Sequence, residues 1–191
     1  MSLFKEDEEA YKLIFEVAYT TGMRIGEILA LTWKDIDLEL GIISVTKTMI
    51  QLKGKTITNS PKTKAGERDV TIHNQLVQHL QEWKTFQQKL LIKYSKDPDD
   101  LQVFQDVPEP INRFKVTKKY DLIRSRTTEL KKIRIHDFRH SHVAFLISSD
   151  TEVINIAKRL GHSSDRITTE LYGHLYTSKQ KRMSDLFQGV Y

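Results

Sequence analysis

One spacing in this chain could hold an anion. In His136-Asp137-Phe138-Arg139-His140, His136 and Arg139 fall one helical turn apart, so an imidazole and a guanidinium share a face at a helix start. Both donate hydrogen bonds and the helix N-terminus adds positive potential, which suits an oxyanion or phosphate. Arg24 and Glu27, in Gly22-Met23-Arg24-Ile25-Gly26-Glu27, share a helix face in the same way; alone, such a pair is a surface salt bridge of small value. Leu160-Gly161-His162-Ser163-Ser164 reads as a helix stop followed by a cap, with His162 in the turn. Thr168-Thr169-Glu170-Leu171-Tyr172-Gly173-His174 sets a tyrosine at the end of a short helix against a glycine. Pro61-Lys62-Thr63-Lys64-Ala65-Gly66 reads as a turn in a sheet, with Lys62 and Lys64 on one strand face because strand side chains alternate. A zinc site at His136 and His140 is disfavoured, since the glutamate of the metalloprotease pattern is missing between them. Each group alone has a plain structural explanation.

The elements that must position these groups are mostly helices. Residues 7–20 carry Tyr11, Ile14, Phe15 and Ala18 at helical spacing, and a second helix is expected from Met23 to Leu31. Ile42-Ile43-Ser44-Val45-Thr46 and the Thr, Ile and Val runs of 48–72 predict a three-stranded antiparallel sheet with turns at the glycines. Helical periods return over 74–95 and about 112–127. A further helix starts near His136, with Phe138, Val143 and Phe145 expected to face the core, and others follow at 152–160, 165–172 and 177–188. There is no internal repeat or long linker. The expected fold class is mainly α with a small antiparallel β-sheet (α+β), and residues 1–191 are expected to form one domain.

Composition narrows the function classes. The 191 residues are 39% hydrophobic and 29% charged, as in an ordinary globular protein, and contain no cysteine. That removes disulfides, a thiolate nucleophile and Cys-based zinc sites. No apolar run approaches the roughly 20 residues of a membrane span. Thirty Lys and Arg against 25 Asp and Glu give a net charge of +5. The segment 112–134 gathers Arg113, Lys115, Lys118, Lys119, Arg124, Arg126, Lys131, Lys132 and Arg134 against only Asp121 and Glu129. Such a segment suits a polyanion, although a solvated helical face has the same composition.

In this order, the Thr21-Gly22-Met23-Arg24-Ile25-Gly26-Glu27 box, His136-x-x-Arg139, Leu160-Gly161-His162 and Tyr172 resemble the tyrosine recombinase (phage integrase) family, over about residues 11–176. The resemblance implies that family's catalytic-domain fold and site-specific DNA strand cleavage and rejoining. It makes Tyr172 the nucleophile, Arg24 and Arg139 the two catalytic arginines, and His136 and His162 the two histidines. Glu27 matches the acidic support of the first arginine, and Lys62 or Lys64 the general acid; alternation does not choose between these two. A tyrosine oxygen attacking a phosphodiester passes through a five-coordinate phosphorane with extra negative charge, which fixed guanidiniums stabilise. At a free pKa of roughly 10 the hydroxyl needs a base or strong charge stabilisation, and His136 could assist. The product is a 3′-phosphotyrosyl link, with no metal or nucleotide cofactor required. The implied partners are double-stranded DNA attachment sites and further copies of the chain, as a tetramer on DNA, in the cytoplasm of a bacterial or phage-infected cell. The family's N-terminal core-binding and arm-binding domains have no counterpart in 1–191. Alternatives are a type IB topoisomerase-like enzyme and a non-catalytic DNA-binding module of the same fold.

Overall fold

A 3-10 turn at Glu6–Glu8 leads into α1 (Glu9–Thr21), whose Leu13, Ile14 and Val17 are fully buried. The computed structural model describes residues 3–52, 55–60, 63–91, 99, 101–105, 110–176 and 188. Gly22 ends α1 in the left-handed conformation (φ 68°) with its N–H on the Ala18 carbonyl, a helix stop that glycine adopts without strain. A β-carbon at Gly22 would also lie 2.5 Å from His142 Cδ2, so α1 meets the later helices here with no room to spare. The next helix, α2, is shorter than its apolar pattern implies, covering Ile25–Ala30 with Arg24 as its N-cap.

Strands β1 (Ile36–Asp37), β2 (Ile42–Val45) and β5 (Arg68–Thr71) make a three-stranded antiparallel sheet in the order β1-β2-β5. Its register sets Ile43 opposite Val70 and Val45 opposite Arg68. Ile43, Val45 and Val70 point inward and their neighbours outward, the alternation a half-buried sheet requires. Strands β3 (Thr48–Leu52) and β4 (Lys55–Asn59) form a separate antiparallel pair. The strand runs of 42–72 therefore divide between two sheets. The cause is tertiary: β3 packs on α2, and Gly26 lets the backbones meet, since a β-carbon there would stand 2.7 Å from the Met49 carbonyl oxygen.

Helix α3 (Asn74–Leu91) pins the loop at 101–105. Gln87 on α3 is wholly buried; it accepts from Trp33 Nε1 (2.6 Å) and donates to the Gln102 and Val103 carbonyls at 2.8 and 3.1 Å. Helix α4 (Arg113–Arg124) begins at Asn112, whose side chain accepts from the Lys115 N–H. Buried Glu8 ties this region to the chain start, pairing with Arg126 and Lys119. In α5 (Asp137–Ser148), Phe138 stacks on Phe15 with ring centres 5.6 Å apart. Phe145, expected in the core, is 57% exposed. By that point α5 has run past the main core, and Val143 and Ile147 turn the other way into a second cluster with Ile156, Leu160 and Tyr172.

Helices α6 (Val153–Leu160) and α7 (Asp165–Tyr172) enclose this second cluster. Gly161 (φ 66°) stops α6, and the Ser164 hydroxyl accepts from Arg166 N–H to start α7, the capping that the sequence implies. A 3-10 turn, Gly173–Tyr176, follows α7. Residues 92–95 of the expected third helix and 177–187 of the expected last one lie outside the described residues. Among the described residues, no helix is long and apolar enough to cross a membrane.

Candidate active site

The end of α1 and the starts of α2 and α5 converge on a pocket of about 520 Å³. Arg24, His136 and Arg139 line it, together with Thr48, Gln51 and Arg113. Arg24 projects from the N-cap of α2 and is 44% exposed, with Nη1 on Glu27 Oε1 at 2.9 Å. The other Glu27 oxygen accepts from the Arg24 N–H and from Arg68 Nη2, each at 2.9 Å. Burial opposes ionisation of Glu27, but Arg68 and Arg24 outweigh it and hold the carboxyl below its ordinary pKa.

Arg68 has no counterpart among the residues that the sequence singles out. Its side chain is 6% exposed. It bonds Glu27, donates Nη1 to the Gly66 carbonyl (3.0 Å) and donates Nε to the Arg159 carbonyl (2.7 Å). One guanidinium thus joins the acidic support of Arg24, the turn bearing Lys64, and α6 just before His162. Its signal in the sequence is faint: an arginine opening a strand, paired with carbonyls 2 and 91 residues away.

Arg139 is 4% exposed and anchored at both ends. Nη1 donates to the Gly22 carbonyl (2.7 Å), and Nη2 to the Leu160 carbonyl and His162 Nε2 (both 2.9 Å). Burial, then the charge of Arg24, brings its pKa down to about 10, so it stays cationic at neutral pH. A guanidinium only donates, so His162 Nε2 accepts and carries no hydrogen. Burial and the same arginines push His162 down to about 4, which makes the ring neutral with its hydrogen on Nδ1. That hydrogen points to Thr168 Oγ1, 2.8 Å away on α7 and fully buried. The helix that carries Tyr172 is in this way hydrogen-bonded to the arginine of the pocket. His136, at the N-cap of α5, is exposed; partial burial, then His140 and Arg139, lower its pKa.

Tyr172 is 5% exposed, its ring in the second apolar cluster. Its hydroxyl lies 2.6 Å from His140 Nδ1, and burial raises its pKa against the pull of Arg139. It lines a separate hollow of about 370 Å³ with His140, Ser141 and Leu175. Lys64 departs from the strand geometry expected of it. It opens a 3-10 turn, Lys64–Gly66, and is exposed, because the chain tightens after Thr63 to bond Gly66 N–H to the Thr63 carbonyl. Lys62 lies outside the described residues. The structure thus brings together Arg24, Glu27, His136, Arg139 and His162, with Tyr172 joined to them through His140 and Thr168. Among the described residues no three metal-ligating side chains cluster, so His136 and His140 have no third ligand there.

The model of the phage integrase family matches residues 1–179, and the chain belongs to that family. Its relatives include the ICEBs1 integrase of Bacillus subtilis (strain 168), 42% identical over 97% of this chain and 50% of the relative. A XerC-like tyrosine recombinase of Caldanaerobacter subterraneus subsp. tengcongensis is 31% identical over 92% of this chain and 49% of its own length. The chain spans about half the length of these two curated relatives. Among solved structures, the Tn1549 transposon integrase in complex with transposon right-end DNA superposes with a TM-score of 0.71 at 20% identity, over 96% of this chain and 61% of that one. XerA recombinase gives 0.65 at 21% identity, over 100% and 67%. The fold is therefore that of the tyrosine recombinase catalytic domain.

Proposed function

We propose that this chain carries the strand-cleaving and strand-joining chemistry of a site-specific DNA recombinase, an integrase, with Tyr172 as nucleophile. The observation that carries the reading is electrostatic. Three guanidiniums, Arg24, Arg68 and Arg139, crowd around one carboxylate, Glu27, beside an open pocket. Excess positive charge of that kind, held in place by backbone carbonyls, matches a phosphodiester and the still more negative phosphorane formed from it.

In this reading Arg24 and Arg139 hold the non-bridging oxygens, with His136 at the pocket rim and His162 keeping Arg139 in place. Glu27 orients Arg24. The tyrosine oxygen forms a bond to phosphorus while the bond to the 5′-oxygen breaks, and Lys64 or Lys62 protonates the departing oxygen. The 3′-phosphotyrosyl link conserves the bond energy for rejoining, so the step needs no metal or nucleotide cofactor. Arg113 at the pocket edge and the exposed Lys118, Lys131 and Lys132 provide phosphate contacts on flanking double-stranded DNA, whereas Lys119 and Arg126 are taken up by Glu8. The likeness to the Tn1549 transposon integrase, solved in complex with transposon right-end DNA, supports the DNA partner; assembly of several copies on attachment sites, as a tetramer, is part of the same proposal.

The test incubates the chain with a library of nicked duplexes and resolves the products on a denaturing gel. Wild type is expected to give a protein–DNA adduct, and Tyr172→Phe none, with DNA retardation on a native gel retained. An adduct surviving in Tyr172→Phe would refute the assignment.

A further inference from the structure

The hydrogen bond between Tyr172 and His140 has no part in the scheme above. At 2.6 Å it is short enough for direct proton transfer, and among the hydrogen bonds of the described residues no other reaches the hydroxyl. His140 follows His136 by four residues and shares its face of α5; the two rings meet edge to face with centres 5.0 Å apart. His136 in turn lines the pocket with Arg24 and Arg139. Two imidazoles, His140 and then His136, therefore lead from the nucleophile's oxygen to the pocket. Around the tyrosine ring lie Val143, Ile147, Ile156 and Leu160, an apolar wall that offers the proton no acceptor. Burial keeps the hydroxyl protonated, so an acceptor in contact with it is required. His136, to which the sequence assigns help with this proton, shares no hydrogen bond with Tyr172 among the described contacts. Among the described residues, the titratable groups facing His140 are His136 at the N-cap of α5, Asp137 on α5 and Tyr172 on α7.

We infer that His140 is a catalytic residue, the proton acceptor for Tyr172; this rests on the recombinase reading and adds a residue to it. As the bond from the tyrosine oxygen to phosphorus forms, its O–H bond breaks and the proton passes to His140 Nδ1. The ring hydrogen then stands on Nε2 beforehand and on both nitrogens afterwards. The bond from phosphorus to the 5′-oxygen breaks and that oxygen takes a proton from Lys64 or Lys62. On rejoining, His140 returns its proton to the tyrosine oxygen.

The test is His140→Asn, whose amide keeps a hydrogen-bond acceptor near the same place but cannot hold the proton. Two rates are read: adduct formation on nicked duplexes, and sulfonylation of Tyr172 by benzenesulfonyl fluoride without DNA, mapped by peptide mass. Both are expected to fall at least ~100-fold, the usual scale of a lost general base, with the circular dichroism spectrum unchanged. His140→Gly is expected to lose both rates and to regain part of each on addition of free imidazole, which enters through the hollow lined by Ser141, Ala144 and Leu171. Unchanged rates in His140→Asn would overturn the inference. Rates that rise would overturn it too and make the bond a hold on a resting nucleophile. If wild type forms no DNA adduct while sulfonylation still depends on His140, the recombinase reading fails and the proton transfer stands. The converse, an adduct at Tyr172 indifferent to His140, removes the proton transfer alone.

Discussion

Replacing Arg68 by methionine removes the charge and all three sets of hydrogen bonds while keeping most of the apolar stem. The side chains of Arg68 and Glu27 are 6% and 4% exposed, so the deletion leaves a carboxylate buried without its main partner. Breaking a buried pair from one side costs about 3–5 kcal/mol. Arg24 still donates to Glu27 Oε1, which places the expected loss near the lower end, about 3 kcal/mol. For a chain of this size that corresponds to a melting temperature lower by about 6–12 °C. Thermal unfolding followed by circular dichroism measures it, and Glu27→Gln with the double variant completes a thermodynamic cycle. Because the two side chains touch, the double variant is expected to be more stable than the sum of the singles predicts, by about 1 kcal/mol or more. A shift under about 3 °C in Arg68→Met, or strict additivity, would refute the claim that this pair locks the lysine turn, α2 and α6 together.

Three further outcomes are expected. Arg139→Ala lowers adduct formation at least ~100-fold, by analogy with loss of an oxyanion donor, and near-normal cleavage would remove it from the phosphate clamp. Gly26→Ala forces α2 off β3, because the added carbon would meet the Met49 carbonyl at 2.7 Å; a loss of about 1–3 kcal/mol in a urea titration checks this, and none would contradict the packing. Glu8, held at a pKa of about 2 by Arg126 against the cost of burial and with help from the Lys5 N–H and Lys119, binds fewer protons folded than unfolded. Its stabilisation is thus complete above the ordinary carboxylate value of 4.5 and lost as the pH falls toward 2. The melting-temperature gap between wild type and Glu8→Gln should accordingly narrow from pH 6 to pH 3, and a constant gap would contradict the ion pair.

Much of this was legible in the residues because the signals are local. Gly22, Gly161 and Ser164 stop and start helices through hydrogen bonds within a few residues, and the caps stand where the sequence puts them. Arg24, Glu27, His136, Arg139, His162 and Tyr172 were found as ordered boxes. The features that escaped are set by distant partners. The separation of β3 and β4 from the other strands depends on Gly26 meeting Met49, and Arg68 acts on Glu27 and on Arg159, 41 and 91 residues away. Lys64 left its expected strand face because one backbone hydrogen bond tightened the turn. The His140 contact to Tyr172 spans 32 residues and two helices, with no spacing in the chain to announce it.

The most direct measurement identifies the covalent bond itself. The adduct formed on a nicked duplex is digested with protease and nuclease, and the modified peptide and the polarity of the attached nucleotide are read by mass spectrometry. With Tyr172 as nucleophile, the expected bond is a phosphodiester between the Tyr172 oxygen and a DNA 3′ end, with a free 5′-hydroxyl on the departing strand. A link to Tyr176, to another side chain, or to a 5′-phosphate would contradict it.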